Sequence, residues 1–247
     1  MRWSIVDSNA SGDAAMRHRR TLAIRALLSL SASAAIACSL LSGSASDLGA
    51  PKPGVLGIAA EALGKAVGGE SLLNYAISCA LPKGATVSGN DGTQFAGSLG
   101  LVPQWAERAL NTVDQRWLSA CLLARTNLFG VRVTISLRGS NPVLVDRLTR
   151  HEKTLFTSEE GAFYGNLWAQ PQRAYACLGS GDNAVKERLK RVCTEESDHA
   201  GISRCGFQIT GSCEDVCERQ GIDGSRLACR GGDETYEEVI TTFLKPD

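Results

Sequence analysis

Apolar residues recur at Leu72, Tyr75, Ala76 and Cys79 in LLNYAISCAL, residues 72 to 81, at the three-and-four spacing of a helix. Pro82 stops the run, so the pattern predicts a buried helix with Cys79 on its core side. Next, ATVSG and TQFAG flank Asn90-Asp91-Gly92, residues that tolerate the positive φ of a tight turn, and the trio predicts a hairpin. Thr112-x-x-Gln115 reads as a capping box in which hydroxyl and amide each meet an orphan N–H. The helix it opens places Val113, Trp117, Cys121 and Ala124 on one face and ends near Phe129-Gly130.

Strict alternation appears in VRVTISL: Val131, Val133, Ile135 and Leu137 fall on one face, and Arg132, Thr134 and Ser136 on the other. This is the signature of a half-buried strand in an antiparallel sheet. Weaker strands are expected over Arg173 to Leu178, Cys205 to Thr210 and Glu238 to Leu244. Asn183 to Val192 (NAVKERLKRV) reads as a helix whose Lys and Arg form a solvated face. Helices and strands alternate without a βαβ rhythm. The fold class is therefore α+β, an antiparallel sheet with packed helices, crosslinked by disulfides.

The first 38 residues have a different character. Arg17, Arg19, Arg20 and Arg25 precede ALLSLSASAAIA, a run of small and apolar residues from Ala26 to Ala37. The run is too short for a bilayer span, which needs about 20 residues, but it suits the apolar region of a secretory signal. Residues 1–37 are thus expected to be a signal peptide, with translation starting at Met16, because the polar residues before it include Asp7 and Asp13. Ala35-Ile36-Ala37 is an A-x-A cleavage site. With Cys38 it also resembles the lipobox of bacterial lipoproteins, although Ala35 stands where that motif usually has Leu. On that reading Cys38 is lipidated and is the chain's link to a membrane. Residues 38–54 are then the anchor cysteine and a Ser-, Gly- and Pro-rich flexible tether, and residues 55–247 a single disulfide-bonded domain.

Cysteine parity supports this division. The chain has nine cysteines, and setting Cys38 aside leaves eight: Cys79, Cys121, Cys177, Cys193, Cys205, Cys213, Cys217 and Cys229. An even set can pair fully in an oxidising compartment. Cys79 and Cys121 each occupy the apolar face of a helix, which makes them the expected pair, against the alternative of two buried thiols. The Cys-rich end lacks the two close pairs of a zinc site, so disulfides are expected there, with Cys213 and Cys217 each bridging a more distant cysteine. No metal or cofactor is expected.

Positive and negative charges balance at 26 each, and the part after the signal is mildly acidic, so no nucleic-acid partner is expected. After the signal only His151 and His199 remain, and no H-E-x-x-H pattern occurs. Gly97-Ser98-Leu99-Gly100 is no nucleophile elbow, since Ala96 holds the place of the first Gly. The most unusual stretch is Glu159-Glu160-Gly-Ala-Phe163-Tyr164-Gly-Asn-Leu-Trp168. Paired acids beside Phe163, Tyr164 and Trp168 would suit a sugar- or peptide-binding groove with Glu159 or Glu160 as general acid or base, helped by His151. The plainer reading is a turn opened by the acids and followed by an aromatic core segment, because adjacent carboxylates in a strand point to opposite faces.

Taken together, SCALPKG, FAGSLGLVPQWAERAL, WLSACLLARTNLFGV, EGAFYGNLW and RAYACLG resemble a group of uncharacterised exported bacterial lipoproteins, from about residue 70 onward. The resemblance implies an exported, disulfide-bonded domain but no activity and no catalytic residue. The expected function is a non-enzymatic binding or structural domain of the cell envelope, with an envelope protein or a glycan as partner. A secreted or anchored hydrolase using Glu159 or Glu160 is the alternative. Ser39, following Cys38, resembles the outer-membrane sorting position of lipoproteins, so the expected location is outer-membrane-anchored or periplasmic.

Overall fold

The computed structural model describes residues 69–89, 92–127, 132–189, 191, 193, 201–203, 205–218 and 221–246. The signal, Cys38, the tether and His199 lie outside the described residues.

Helix α1 spans Gly69–Ala80 and buries Leu73, Ala76, Ile77, Cys79 and Ala80; of the predicted stripe Ala76 and Cys79 are buried and Leu72 is half-buried. Tyr75 departs from the expectation. It is 36% exposed, and the Arg125 guanidinium lies 4.6 Å from its ring centroid, so a cation rather than the core covers it. The hairpin follows as β1 (Thr86–Ser88) and β2 (Gln94–Ala96), pairing Ser88 with Gln94 across the turn. Gly92 holds φ +85° there, while Asn90 and Asp91 lie outside the described residues.

Helix α2 (Thr112–Ala124) does begin with a capping box, but one residue earlier than Thr112 and Gln115 suggest. Asn111 Oδ1 accepts the Asp114 N–H at 2.9 Å, and the Asp114 carboxylate accepts the Asn111 N–H at 3.1 Å. Asn and Asp supply the same reciprocal chemistry, and Asp114 gains the Arg108 guanidinium at 2.8 Å besides. The helix stops at Ala124; Phe129, Gly130 and Val131 lie outside the described residues. Its inward surface is also wider than the predicted stripe. Every residue from Leu118 to Ala124 is buried, whereas Val113 is 50% exposed, because the second half of α2 packs between α1 and the sheet.

The main sheet has five strands in the order β3-β9-β4-β5-β6: β3 Ser136–Arg138, β9 Ile240–Leu244, β4 Ser158–Asn166, β5 Arg173–Leu178 and β6 Gln208–Ser212. All neighbours are antiparallel except β5 and β6, which run parallel. Strand β5 has the bounds its pattern predicts, while β6 and β9 start three and two residues later than expected. The stretch with the clearest alternation is corrected more strongly. Only Ser136–Arg138 forms a strand, and its buried side chains are Ser136 and Arg138, not the aliphatic ones. Arg138 explains the reversal: it donates to the Asp223 carbonyl at 2.7 Å and to that of Phe156, and its guanidinium lies 3.7 Å from the Phe243 ring centroid. Pairing of the strand is limited to Ser136, Leu137 and Arg138, opposite Phe243, Thr242 and Thr241 of β9.

Helices α3 (Pro142–Arg147) and α4 (Arg150–Leu155) connect β3 to β4, and α5 (Asn183–Arg188) follows β5. The basic residues of that last region form a solvated face only in part: Arg188 is exposed, but Lys186 and Arg191 are not. Lys186 and Arg191 are 2% and 3% exposed, and Lys186 Nζ donates to Asn183 Oδ1 at 3.3 Å. A four-residue helix α6 (Cys213–Val216) and a second hairpin, β7 (Cys229–Gly231) with β8 (Glu234–Tyr236), complete the fold. Gly231 is required by the Tyr175 ring, since a Cβ there would come within 2.5 Å of it.

The two faces of the sheet carry different cores. Phe163, Ala176 and Ile240 pack with α1, α2 and the first hairpin. Ala162, Tyr164 and Cys177 face the other way, against Cys213, Cys217, Cys229, Tyr236 and Val239. Strand β4 is therefore buried along all nine residues. Four disulfides crosslink the chain: Cys79–Cys121, Cys177–Cys213, Cys193–Cys205 and Cys217–Cys229. The first joins α1 to α2 as expected, and Cys213 and Cys217 each bridge a more distant cysteine.

The Cys79–Cys121 bond closes a sequence separation of 42 residues. Holding a loop of that size closed costs the unfolded chain on the order of 4 kcal/mol of conformational freedom, which loss of the crosslink returns to it. A Cys79→Ala/Cys121→Ala variant is expected to unfold at a lower urea midpoint by an amount of that order, read by circular dichroism.

Candidate functional site

Strand β4 carries the residues that the sequence singles out. Its paired acids, Glu159 and Glu160, stand where its pairing with β9 shifts register, a bulge that breaks the simple alternation of the strand. Each meets its own arginine. Glu159 accepts Arg226 Nε at 2.9 Å and Nη2 at 3.1 Å on its two oxygens, with Ser180 Oγ at 3.2 Å. The same Arg226 reaches the exposed Glu214 at 2.6 Å. Glu160 accepts Arg191 Nε at 2.8 Å and Nη2 at 2.9 Å, and Thr242 Oγ1 at 2.7 Å. Arg191 also donates to the carbonyls of Ala124 and Thr126, at 2.8 and 2.7 Å, where α2 ends.

Both pairs are buried and forked, the strongest geometry that a carboxylate and a guanidinium form. A general acid or base needs an oxygen free to meet the proton it moves. In Glu160 both oxygens accept charge-assisted or hydroxyl hydrogen bonds and the residue is fully buried. His151 sits exposed on α4, and its carbonyl accepts Thr154 Oγ1 at 2.8 Å; neither carboxylate has it as a partner.

The aromatic residues also part company. Phe163 enters the first core and meets Phe207 edge-on, ring centroids 5.7 Å apart. Tyr164 enters the second core, 5.8 Å from Tyr175 and 5.7 Å from Tyr236. Trp168 lies beyond the strand, half-buried, with its N–H donated to Asn166 Oδ1 at 2.8 Å. The three do not line one groove.

What the sequence did not reveal is the chemistry of the second core. The Tyr164 hydroxyl donates to the Arg230 carbonyl at 2.9 Å and lies 2.7 Å from Thr210 Oγ1. Burial pushes the Tyr164 phenol up to about 12 and raises that of Tyr236 as well. At the rim, Arg116 stands 4.8 Å from the Tyr236 ring centroid and donates to Glu234 at 3.1 Å. Glu234 also pairs with Arg173, whose hydrogen bond holds the carboxyl below its ordinary value. No sequence pattern links these residues: strand pairing sets Tyr164 opposite Tyr175, and the separate β7–β8 hairpin packs Tyr236 against both.

Beneath the tyrosines, the Sγ atoms of Cys177, Cys217 and Cys229 lie within 4.8 Å of one another. They belong to the Cys177–Cys213 and Cys217–Cys229 disulfides. Metal ligation uses thiolates, so in this bonded form the sulfurs offer no zinc-type donor set. Among the described residues no helix is long and apolar enough to cross a membrane. Comparison of the chain with family models, curated proteins and solved structures finds no match.

Two expected outcomes follow from these contacts. Arg191→Met strands the Glu160 carboxylate without its partner, a defect that costs about 3–5 kcal/mol in buried pairs. Urea denaturation should show that loss, and Glu160→Met in the Arg191→Met background should recover part of it by removing the stranded charge. The second outcome concerns alkali. Tyr164 holds its proton more tightly when folded, with an ordinary value of 10.0 rising to about 12. Its contribution to stability is thus complete below about pH 10 and drains away as pH rises toward 12. Tyr164→Phe should lose less stability than the parent across that interval, measured by denaturation at successive pH values.

Proposed function

We propose that this chain is an exported cell-envelope lipoprotein whose α+β domain is a non-enzymatic binding or structural element, held at the membrane through an acylated Cys38. The observation that carries the reading is the fate of the acidic-aromatic strand. Glu159 and Glu160 are each engaged by a buried arginine, and Phe163 and Tyr164 sit in separate cores. The one stretch with the composition of a catalytic groove is therefore internal scaffold. Four disulfides suit a chain that matures in an oxidising compartment. The arginine-led apolar segment and the lipobox-like Ala35-Ile36-Ala37-Cys38 supply a route there and an anchor. Ser39 favours the outer membrane over the inner one, and the tether leaves the domain free to reach an envelope protein or a glycan.

The test starts with protein purified from its native membranes. Intact mass should show an acylated N-terminal Cys38 and eight cysteines that alkylate only after reduction, and Cys38→Ser should move the protein to the soluble fraction. An unacylated, soluble parent would overturn the anchor. Crosslinking in intact cells should then capture an envelope component, and the purified protein should not hydrolyse glycans or peptides. Hydrolysis that disappears in Glu159→Gln or Glu160→Gln with the fold intact would overturn the non-enzymatic reading.

A further inference from the structure

Two disulfides touch in the second core. Cys177 Sγ on β5 and Cys217 Sγ just after α6 are 3.6 Å apart, yet they belong to different bonds. Closing that gap to a bond length of about 2.05 Å needs a smaller movement than a χ1 rotamer change gives a sulfur. Three of the four cysteines are fully buried; Cys217, at 8% exposure, is the one nearest to solvent. Among the described residues this is where sulfurs of separate disulfides gather. Burial by Tyr164, Tyr175 and Tyr236 holds the group together and keeps water from diluting their encounters.

We propose that Cys177–Cys213 and Cys217–Cys229 form an exchange pair, a redox-responsive device in which an external dithiol reduces the second bond and the first rearranges in reply. The dithiol attacks the Cys217–Cys229 bond, is itself oxidised to a disulfide, and leaves thiols on Cys217 and Cys229. The Cys217 thiol gives up its proton, and the thiolate attacks Cys177 Sγ in line with the Cys177–Cys213 bond. A Cys177–Cys217 bond forms, the Cys177–Cys213 bond breaks, and Cys213 leaves as a thiolate that takes up a proton. The two electrons that entered at Cys217 and Cys229 thus end on Cys213 and Cys229. The exchange releases Cys213, the first residue of α6, from β5 and binds the other end of α6 to β5 instead. The C-terminal hairpin, whose strand β7 begins at Cys229, loses its covalent tie to α6 in the same event.

The test needs no reductant in its first form. Cys229→Ala leaves Cys217 unpaired beside Cys177. After incubation of the folded variant, acid quenching and maleimide labelling, peptide mass mapping should find label on Cys213 as well as Cys217, together with a Cys177–Cys217 crosslinked peptide. Label confined to Cys217, with Cys177 joined only to Cys213, would overturn the proposal. The parent protein provides a second reading should the variant fail to fold. Under limited dithiothreitol, molecules labelled at Cys213 and Cys229 that carry the Cys177–Cys217 crosslink support exchange. Molecules labelled at Cys217 and Cys229 with Cys177–Cys213 intact throughout, or a Cys177–Cys229 product, would refute it.

Discussion

The buried pair of Glu160 and Arg191 constrains more of this fold than any other contact. A charge at 0% exposure in the central strand is tolerable only with a partner of opposite sign and satisfied oxygens, and Arg191 and Thr242 supply both. The consequences run through three elements. Thr242 belongs to β9, so the carboxylate ties β4 to its neighbour. The remaining guanidinium N–H groups meet the carbonyls where α2 ends, the negative pole of the helix, and so fix that terminus over the sheet. Register is marked here too: pairing of β4 with β9 shifts between Glu159 and Gly161, and this bulge sets Glu160 against Thr242 instead of on the Tyr164 face that simple alternation would give it.

With β4 fixed in this way, its two faces are free to differ. One side is an aliphatic and aromatic core built by long helices, with the Cys79–Cys121 bond as reinforcement. On the other side the covering elements are a four-residue helix and three-residue strands, too short to bury much apolar area. Tyrosines and two disulfides replace aliphatic bulk there. Crosslinks stabilise by limiting the unfolded chain rather than by burying surface, and they suit a layer that cannot build its own core. The same economy of space is what brings two disulfides into contact.

Legibility in the sequence tracks how locally each feature is determined. The bounds of β5 and the Cys79–Cys121 pairing were readable because strand propensity and helical spacing are short-range properties that survive folding. The capping box was readable as chemistry and misplaced by one residue, since Asn111-Asp114 and Thr112-Gln115 offer overlapping versions of the same motif. The rest was set by partners far away in the chain. Arg138 reversed the faces of its strand because the carbonyls of Asp223 and Phe156 and the Phe243 ring were waiting for it. Lys186 and Arg191 stand in a run that looks like a solvated face, and nothing local announces that Glu160, 31 positions earlier, lies opposite. Strand β4 read as a turn because acids at its start are poor strand formers, and a strand covered on both faces shows no alternation.

The position of the acids also bears on what kind of chemistry the chain can support. Two-carboxylate hydrolysis requires both groups to flank one scissile bond, about 5–9.5 Å apart across a shared cleft. Glu159 and Glu160 do not meet that demand, because each is taken up by its own buried arginine. Here the separation is chemical as well as geometric. Glu159 lies with Arg226 and Glu214, and Glu160 with Arg191 and the end of α2, so a substrate reaching one would have to pass through the sheet to meet the other. Freeing Glu160 would leave the buried Arg191 guanidinium without its carboxylate, and that cost falls on folding before any catalysis begins. The acids that look most like catalysts in the sequence are thereby held to the fold.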